Sequence, residues 1–308
     1  MAEPSTSQVC AVVITYRPDP EALRALLAAV RGQVGATVVV DNSGPEHVLP
    51  IEASEPAVGA VLRQARNIGL AQAQNLGIDW ARRHGYRNVL LLDQDSLPGE
   101  GMVQALLDAI GRLGAVSPVA AVGPRFHDLR EARDAPFVRL GFPFNRKLWC
   151  RPDQPTIECD FLISSGALLP MAVLDDVGDM DAGLFIDNVD LEWGFRARAK
   201  GYTLHGVCAA TMHHRLGDAR MPLPLGLGQV TVHGPGRLYY MMRNRVRLYR
   251  MPHTPRVWVA QDLPRVAVKL FLFGVLVAPR GRNLRFMLRG LWDGWRGRQG
   301  PCPLVPAH

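Results

Sequence analysis

The chain has 308 residues, of which 48% are hydrophobic and 20% charged, with 30 Gly and 24 Pro. This is long enough for one large domain or two small ones with a sizeable buried core. The composition excludes a disulfide-rich miniprotein, a collagen-like fibre and a disordered tail.

The net charge of +7 is unevenly distributed along the chain. From Arg237 to the end there are 13 Arg and one Lys against Asp262 and Asp293, a net charge of +12, so the first 236 residues carry −5. Such a basic C-terminal segment indicates an anionic partner, and both nucleic acid and a membrane surface remain open on this observation.

The five cysteines show no CxxC pair and no metal-type spacing; they are Cys10, Cys150, Cys159, Cys208 and Cys302. An odd number in a long chain predicts buried free thiols in a reducing compartment. The N-terminus lacks a basic region followed by an apolar core, and the longest late apolar run, residues 270–279, is too short to span a bilayer. We therefore expect a cytoplasmic protein without a membrane span.

The first 125 residues alternate strand-like and helix-like blocks. Short apolar runs predict strands buried on both faces, at residues 9–15, 36–41 and 88–93. Apolar residues at helical spacing predict helices at about 18–30, 70–84 and 99–113. This alternation favours a parallel sheet with helices on both sides.

The pattern weakens over residues 121–155, where several Pro and Gly predict a loop with one hairpin. Order resumes at residues 161–169 and in a helix at 190–201, which Gly201 would end. Residues 235–297 look helical and basic, and are divided by Pro252, Pro255, Pro264 and Pro279.

Polar residues end three of the predicted strands: Thr15, Asp41 and Asp93. Ligands of open α/β sheets bind at the carboxyl ends of the strands, although such residues also start ordinary turns. Asp95 follows Asp93 by two residues, so both carboxylates could converge on Mg²⁺ or Mn²⁺ bound to a diphosphate. A solvated turn is the alternative.

A second acidic cluster comprises Asp187, Asp190 and Glu192 at the start of a helix. The helix macrodipole stabilises an acid at a helix N-terminus. This effect accounts well for the presence of one acid there, but poorly for three acids within six residues. Crowded carboxylates raise the pKa of one member, which suits a general base, or require a cation. His213 and His214 follow as candidate ligands or phosphate donors.

Two common nucleotide motifs are missing. The sequence has neither GxGxxG after its first strand nor GxxxxGK[ST] anywhere. Both absences count against a dinucleotide oxidoreductase and a P-loop NTPase.

Nine segments resemble family 2 glycosyltransferases of the GT-A fold, and especially the bacterial group that uses dTDP-L-rhamnose. They are VVITYRPDP, VVVDNSG, RNIGLAQAQNLGID, LLLDQDS, FLISSGALL, LFIDNVDLEWGFRARAKGY, MHHRLGD, YYMMRNRVRL and GLWDGWRGRQG, and together they cover nearly the whole chain. The resemblance implies a mostly parallel α/β sheet flanked by helices. It places a glycosyltransferase domain at residues 1–235, with the nucleotide-sugar half at about 1–125 and the acceptor half at about 126–235. A basic helical segment then occupies residues 236–308.

The resemblance also implies roles for individual residues. Asp190 would be the catalytic base, and Asp93, Asp95 and His214 would bind the Mg²⁺ or Mn²⁺. The remaining donor-binding residues would be Thr15, Tyr16, Arg17, Asp41, Asn67, Gly69, Asn75 and Gln94. The acceptor and sugar pocket would comprise Ser164, Ser165, Gly166, Asp187, Glu192 and Trp193. Arg17 departs from the pattern, because many relatives have Asn at that position.

The implied reaction inverts the anomeric centre as L-rhamnose moves from dTDP-L-rhamnose to a hydroxyl of a glycan or glycolipid. A UDP-galactofuranose or UDP-hexose donor is the alternative, since YYMMRNR also occurs in galactofuranosyl enzymes. A nucleotide-sugar-binding protein without turnover, or a nucleic-acid-binding module, fits the motifs less well. The C-terminal segment would either lie on an anionic membrane surface or form a helical cap with a solvated basic face. The sequence leaves the acceptor and the oligomeric state open.

Overall fold

The computed structural model describes residues 5–49, 51, 58–128, 133–214, 220–222 and 229–305. Its strands are β1 Val9–Thr15, β2 Ala36–Asp41, β3 Val58–Arg63, β4 Asn88–Asp93, β5 Ser96–Pro98, β6 Val119–Asp128, β7 Arg133–Asp134, β8 Phe137–Arg139, β9 Arg146–Leu148, β10 Thr156–Cys159, β11 Leu168–Pro170, β12 Thr203–His214, β13 Arg220–Pro222 and β14 Gln229–Thr231. Its α-helices are α1 Pro20–Val30, α2 Leu70–Arg83, α3 Met102–Gly114, α4 Met171–Val177, α5 Val189–Ala199, α6 Pro235–Tyr249, α7 Arg256–Phe271 and α8 Arg280–Trp295.

The central sheet has the order β10-β12-β6-β11-β4-β1-β2-β3. Six of these strands run in one direction, because β11 is antiparallel to both β4 and β6 and only β10 and β11 run the other way. The predicted, mostly parallel α/β sheet is therefore confirmed. The carboxyl ends of the parallel strands meet along one edge.

Alternate residues of β1 enter two hydrophobic cores on opposite faces of the sheet. Cys10, Val12 and Ile14 pack with α2 and α5, whereas Val9, Ala11 and Val13 pack with α1 and α3. This double coverage explains why the strand is apolar throughout rather than alternating.

Residues 121–155 are more ordered than the sequence predicts. Besides the hairpin of β8 and β9 they contain most of β6, an inner strand paired with β11 and β12. Ala, Gly and Pro give β6 little strand propensity, and Pro124 is accommodated where the pairing with β12 shifts register after Val207. Residues 161–169 are less ordered than the sequence predicts. Residues 161–167 form no strand, and only Leu168–Pro170 do so.

The C-terminal segment is helical as predicted, but Pro264 does not divide it. Pro264 lies inside α7, which continues through a π-helical stretch, Leu272–Leu276, before the break at Pro279. Helix α6 begins at Pro235. Among the described residues, no helix has both the length and the apolar character needed to cross a bilayer.

The prediction of free thiols is wrong for two of the five cysteines. Cys150 and Cys208 form a disulfide across 58 residues of sequence. The partners meet because β10 pairs with β12, and the backbone N–H of Cys208 donates to Pro155 O at 2.9 Å. Cys10, Cys159 and Cys302 are free and buried, as expected. Cysteine usage therefore no longer argues for a reducing compartment.

Gly77 sets the close approach of α2 to the sheet. A Cβ at this position would overlap the side chain of Val12 in β1. We expect Gly77→Ala to lower the free energy of unfolding by about 1–3 kcal/mol, despite the better helix propensity of Ala. Denaturant unfolding followed by tryptophan fluorescence measures this change.

The matched control is Gly281→Ala in α8, where an added Cβ meets no atom within 4 Å. That variant should unfold at the same denaturant concentration as the wild type or slightly above it. Equal stability of the Gly77 and Gly281 variants would contradict the packing argument.

Candidate active site

Three of the sequence-predicted residues meet at the carboxyl edge of the sheet. In the strand register Thr15 lies opposite Asp41, and Asp93 lies opposite Ile14. The Thr15 hydroxyl donates to Asp41 Oδ1 at 3.1 Å, and both residues are almost completely buried. The edge therefore holds a fixed carboxylate on β2 and a second one on β4, with β1 between the two strands.

Ser43 organises the loops beside Asp41. Its backbone N–H and its hydroxyl both donate to Asp41 Oδ1, at 3.1 and 2.6 Å, and Ser43 Oγ accepts from the backbone N–H of Arg17 at 2.7 Å. Arg17 has a φ of 47°, and its guanidinium lies 5.5 Å from the ring centroid of Tyr16. The backbone N–H of Tyr16 donates to Gln94 Oε1 at 2.7 Å. Tyr16, Arg17 and Gln94 thus lie together between β1 and β4.

The segment before α2 is held by side-chain amides. Asn67 Oδ1 accepts from Asn42 Nδ2 at 3.0 Å and from the backbone N–H of Gly69 at 2.9 Å. Gly69 has a φ of +88°, and a Cβ there would lie 2.7 Å from atoms of Phe185. Only glycine fits this combination of backbone conformation and contact.

Asn75 is placed differently from the other predicted donor-binding residues. Its amide donates to Met180 O and accepts from the backbone N–H of Met180, each at 2.9 Å. Both ends of the side chain therefore bind the segment that precedes the second acidic cluster. We assign Asn75 a structural contact to that segment.

The structure brings the two predicted acidic clusters together although they are far apart in sequence. Burial raises the pKa of Asp93 to about 7, assisted by the negative charges of Asp95 and Asp190. Burial also raises the pKa of Asp190 to about 6, with a further contribution from Asp187. Crowded, partly desolvated carboxylates of this kind are typical of catalytic and cation-binding sites.

The segment of Ser164, Ser165 and Gly166 connects these clusters. Ser165 Oγ accepts from the backbone N–H of Asp93 at 3.0 Å and bonds with Ser96 Oγ at 2.6 Å. Gly166, with a φ of +81°, donates its N–H to Leu91 O at 2.7 Å. Ser164 lines a small cavity together with Asp190 and Trp193. The predicted pocket residues 164–166 therefore border both acids.

The loop before α5 has an unusual backbone. Phe185, Asp187 and Asn188 all have positive φ, at 66°, 65° and 63°. Non-glycine residues in this region cost free energy and persist only where the surroundings hold them. Asp187 Oδ2 and Asn188 Nδ2 are buried without a hydrogen-bond partner among the described residues. Burial raises the pKa of Asp187, although Arg237 opposes that shift.

Two fully buried side chains of α6 hold this loop. Asn244 Nδ2 donates to the carbonyls of Leu184, Ile186 and Asp187 at 2.7–3.0 Å. Arg243 donates to Gly183 O at 3.1 Å, to Leu184 O at 2.7 Å, and also to Gly300 O. We call this set of bonds the α6 clamp. It explains how three strained residues remain in place.

Glu192 does not face the other acids. It forms a two-pronged ion pair with Arg196, at 2.8 and 2.9 Å, and contacts His253 Nε2 at 3.0 Å. Burial opposes ionisation of Glu192, but the hydrogen bonds from His253 and Arg196 hold its pKa below the ordinary value. Trp193 donates its indole N–H to Gly178 O at 2.9 Å. Glu192 thus stabilises α5. Trp193 contacts the site where its side chain lines the cavity beside Asp190.

The histidine pair lies at the end of β12. His214 pairs in the backbone with Ser96, next to Asp95, while its side chain lies outside the described residues. The ring of His213 lies 5.6 Å from that of His127. Among the described side chains, no group of three His, Cys, Asp or Glu is arranged to hold a metal ion. Asp93 and Asp95 still fit Mg²⁺ or Mn²⁺, because such ions are often held by one or two carboxylates plus substrate phosphates.

Sequence reasoning missed the contribution of the C-terminal segment to the site. Arg237 Nε donates to Asp187 Oδ1 at 3.2 Å, and its charge also acts on Asp93. The charges of His233 and Lys269 act on Asp187 as well. Burial lowers the pKa of Lys269 to about 8, with Arg245 adding to the shift. The basic composition of the segment is the signal that could have indicated this contribution. Composition does not show which of the cationic side chains lie beside the acidic loop.

Known proteins similar to this chain include glycosyltransferases matched over nearly their whole length. The dTDP-rhamnosyl transferase RfbF of Shigella flexneri is 28% identical over 298 residues, covering 96% of this chain and 97% of that protein. The galactofuranosyltransferase GlfT1 of Mycobacterium tuberculosis strain H37Rv is 29% identical over 310 residues, covering 96% of this chain and 95% of that protein.

Solved structures share the fold at lower identity. GalNAc-T7 with UDP, GalNAc and Mn²⁺ superposes with a TM-score of 0.59 at 15% identity, over 97% of this chain and 58% of that one. Residues 1–349 of Staphylococcus aureus TarS give a TM-score of 0.53 at 12% identity, over 97% and 98%. The fold is therefore GT-A. Residues 10–176 match the model of glycosyl transferase family 2, so the chain belongs to this family and is a glycosyltransferase.

Proposed function

We propose that the enzyme transfers L-rhamnose from dTDP-L-rhamnose to a hydroxyl of a glycan or lipid-linked glycan, with inversion. The main observation in support of the mechanism is that Asp93 and Asp190 lie close together at the carboxyl edge of the sheet. The similarity to RfbF over nearly the whole chain supports the choice of donor. We also propose that it acts in the cytoplasm, as a peripheral protein at the inner membrane.

In this mechanism Asp190 is the general base. Its carboxylate accepts the proton of the acceptor hydroxyl as that oxygen bonds to C1 of rhamnose. The bond between C1 and the diphosphate breaks at the same time, so dTDP leaves and a β-linked donor becomes an α-rhamnoside. Burial suits Asp190 to this role, because a pKa of about 6 leaves it ionised at neutral pH yet basic enough to take a proton.

The leaving group would be held at the opposite side of the crevice. Thr15, Asp41 and Asn67 would bind the nucleoside, with Tyr16, Arg17, Gly69 and Gln94 beside it. A divalent cation held by Asp93 and Asp95 would supply charge stabilisation to the diphosphate. Arg237 and Lys269 add positive charge on the C-terminal side. Ser164, Ser165, Gly166 and Asp187 would border the transferred sugar and the acceptor.

A UDP-galactofuranose donor is the second candidate, because the similar GlfT1 of Mycobacterium tuberculosis is a galactofuranosyltransferase. The crevice and the base would be unchanged, since only the contacts to the sugar and the nucleobase differ between the two donors.

Nucleotide release from a donor panel tests the proposed donor. We expect slow hydrolysis of dTDP-L-rhamnose in Mg²⁺ or Mn²⁺, accelerated by lipid-linked glycan acceptors and abolished by EDTA. Release from a UDP-sugar alone would overturn the rhamnosyl assignment while preserving the mechanism. Activity that persists in EDTA would contradict the cation at Asp93 and Asp95.

Replacement of the base tests the mechanism. Asp190→Asn should lower kcat by about 10²–10⁴-fold, because the amide cannot accept the hydroxyl proton. The Kd for dTDP, measured by calorimetry, should stay within a few fold of the wild type. The wild-type kcat should fall as the pH drops through about 6, since protonated Asp190 is inactive.

The matched control is Asp175→Asn, which removes an exposed carboxylate paired with Arg82 outside the crevice. Its kcat and dTDP affinity should equal those of the wild type. Loss of dTDP binding in Asp190→Asn would show that Asp190 serves structure or the cation rather than proton transfer.

The α6 clamp should control catalysis by positioning Asp187 and Asp190. Asn244→Ala leaves the carbonyls of Leu184, Ile186 and Asp187 without their common donor. We expect kcat to fall by about 10–100-fold, because small displacements of reacting groups are costly, with dTDP affinity nearly unchanged. Steady-state kinetics and calorimetry measure the two quantities.

Asn283→Ala is the control for stability. Asn283 is equally buried and donates to Phe273 O and Val277 O, within the same C-terminal segment but away from the acidic loop. Both variants should lose about 1–3 kcal/mol of unfolding free energy. If Asn244→Ala loses stability but keeps its kcat, the clamp does not position the acids.

A further inference from the structure

Helix α8 has two chemically distinct faces. Its inner face packs closely against α6, because a Cβ at Gly290 or Gly294 would overlap the backbone of Tyr239 or Arg243. Phe286 and Met287 are buried on the same side. The inner face of α8 is therefore covered by the protein itself.

The outer face of α8 carries a row of large apolar side chains. Leu284, Leu288, Trp292 and Trp295 are 37%, 51%, 51% and 63% exposed. They follow one another at intervals of four, four and three residues, so they lie along one side of the helix. We call these four residues the outer stripe. Trp292 and Trp295 lie with their ring centroids 5.2 Å apart.

Further exposed apolar side chains precede the outer stripe in α7 and the π-helical stretch. Leu263, Val268, Phe271 and Val275 are each about half exposed, at 49–58%. Scattered exposed apolar residues are ordinary on a protein surface, but eight large ones in α7, the π-helical stretch and α8 are not. Such a surface indicates a partner.

The charges beside the outer stripe indicate which partner. Arg282, Arg285, Arg289 and Arg296 follow the same helix on one flank of the stripe, and Arg280 stands at its start. Among the described residues, Arg280 and Arg285 have no ion-pair partner. Asp293, the single acid of α8, is buried and bound to Tyr239 and Arg289. The outer face of α8 therefore carries cations without acids.

We propose that the outer stripe and its flanking arginines dock onto an anionic phospholipid leaflet, with α8 lying in the plane of the interface. Leu and Trp side chains would enter the boundary of headgroups and acyl chains, and the guanidinium groups would contact lipid phosphates. The membrane contact itself does not depend on the proposed function. Only its purpose does, which is to bring the crevice to a lipid-linked acceptor. Docking would use the outer face of α8, whereas its contacts with α6 lie on the inner face.

Co-sedimentation with vesicles tests the proposal in the full-length protein. We expect binding to vesicles of phosphatidylcholine with phosphatidylglycerol, weaker binding to phosphatidylcholine alone, and loss of binding at high salt. Leu288→Glu/Trp292→Glu should reduce the partition coefficient at least tenfold. Both positions are exposed, so the variant should keep the wild-type Tm.

The charge contribution has its own matched pair of variants. Arg280→Gln/Arg285→Gln should weaken binding to anionic vesicles on the order of tenfold, since each cation near such a surface contributes about 1 kcal/mol. Arg24→Gln/Arg31→Gln removes two exposed cations from α1 and its C-terminal end, remote in sequence from the stripe, and should bind as the wild type does.

Two outcomes would overturn the proposal. One is the absence of specific binding: the wild-type protein stays in the supernatant with anionic vesicles, or the stripe variants sediment with them as the wild type does. The other is a dimer in sedimentation velocity that Leu288→Glu/Trp292→Glu dissociates, which would make a second copy the partner. Hydrolysis of the donor without vesicles should be equal in all these variants, so its loss would concern the proposed function instead.

Discussion

The candidate active site depends on keeping several carboxylates close together in a partly dehydrated crevice. Asp93 and Asp190 each raise the cost of ionising their neighbours, and Asp187 stands beside Arg237 on a strained backbone. Such carboxylates would move apart unless the backbone segments that carry them were held rigidly. The supports are the strand ends that hold Asp41 and Asp93, and the α6 clamp that holds the loop of Asp187.

The two halves of the crevice are therefore built by different physical means. On the side proposed to bind the nucleotide, parallel strands end in register and hydrogen bonds from Thr15 and Ser43 hold Asp41. On the side proposed to bind the acceptor, Arg243 and Asn244 reach from α6 to the loop before α5. The C-terminal segment thus supports the candidate active site through α6, while the outer face of α8 is exposed.

Much of the central sheet could be predicted from the sequence, because β1, β2 and β4 are short apolar runs that end in polar residues. β6 could not, since Ala, Gly and Pro give it weak strand propensity and its pairing with β11 and β12 supplies the order. The Cys150–Cys208 disulfide was hidden for a similar reason. Only the pairing of β10 with β12 brings its two partners together across 58 residues.

The sequence by itself determined the parallel α/β sheet, the polar strand ends, the two acidic clusters and the basic helical C-terminus, because each is a local pattern of residue types. Tertiary structure decided which members of those patterns work together. It turned Glu192 towards Arg196 and His253, bound Asn75 to Met180, and brought Arg237 to Asp187. These choices depend on contacts between segments distant in sequence, which composition and spacing do not contain.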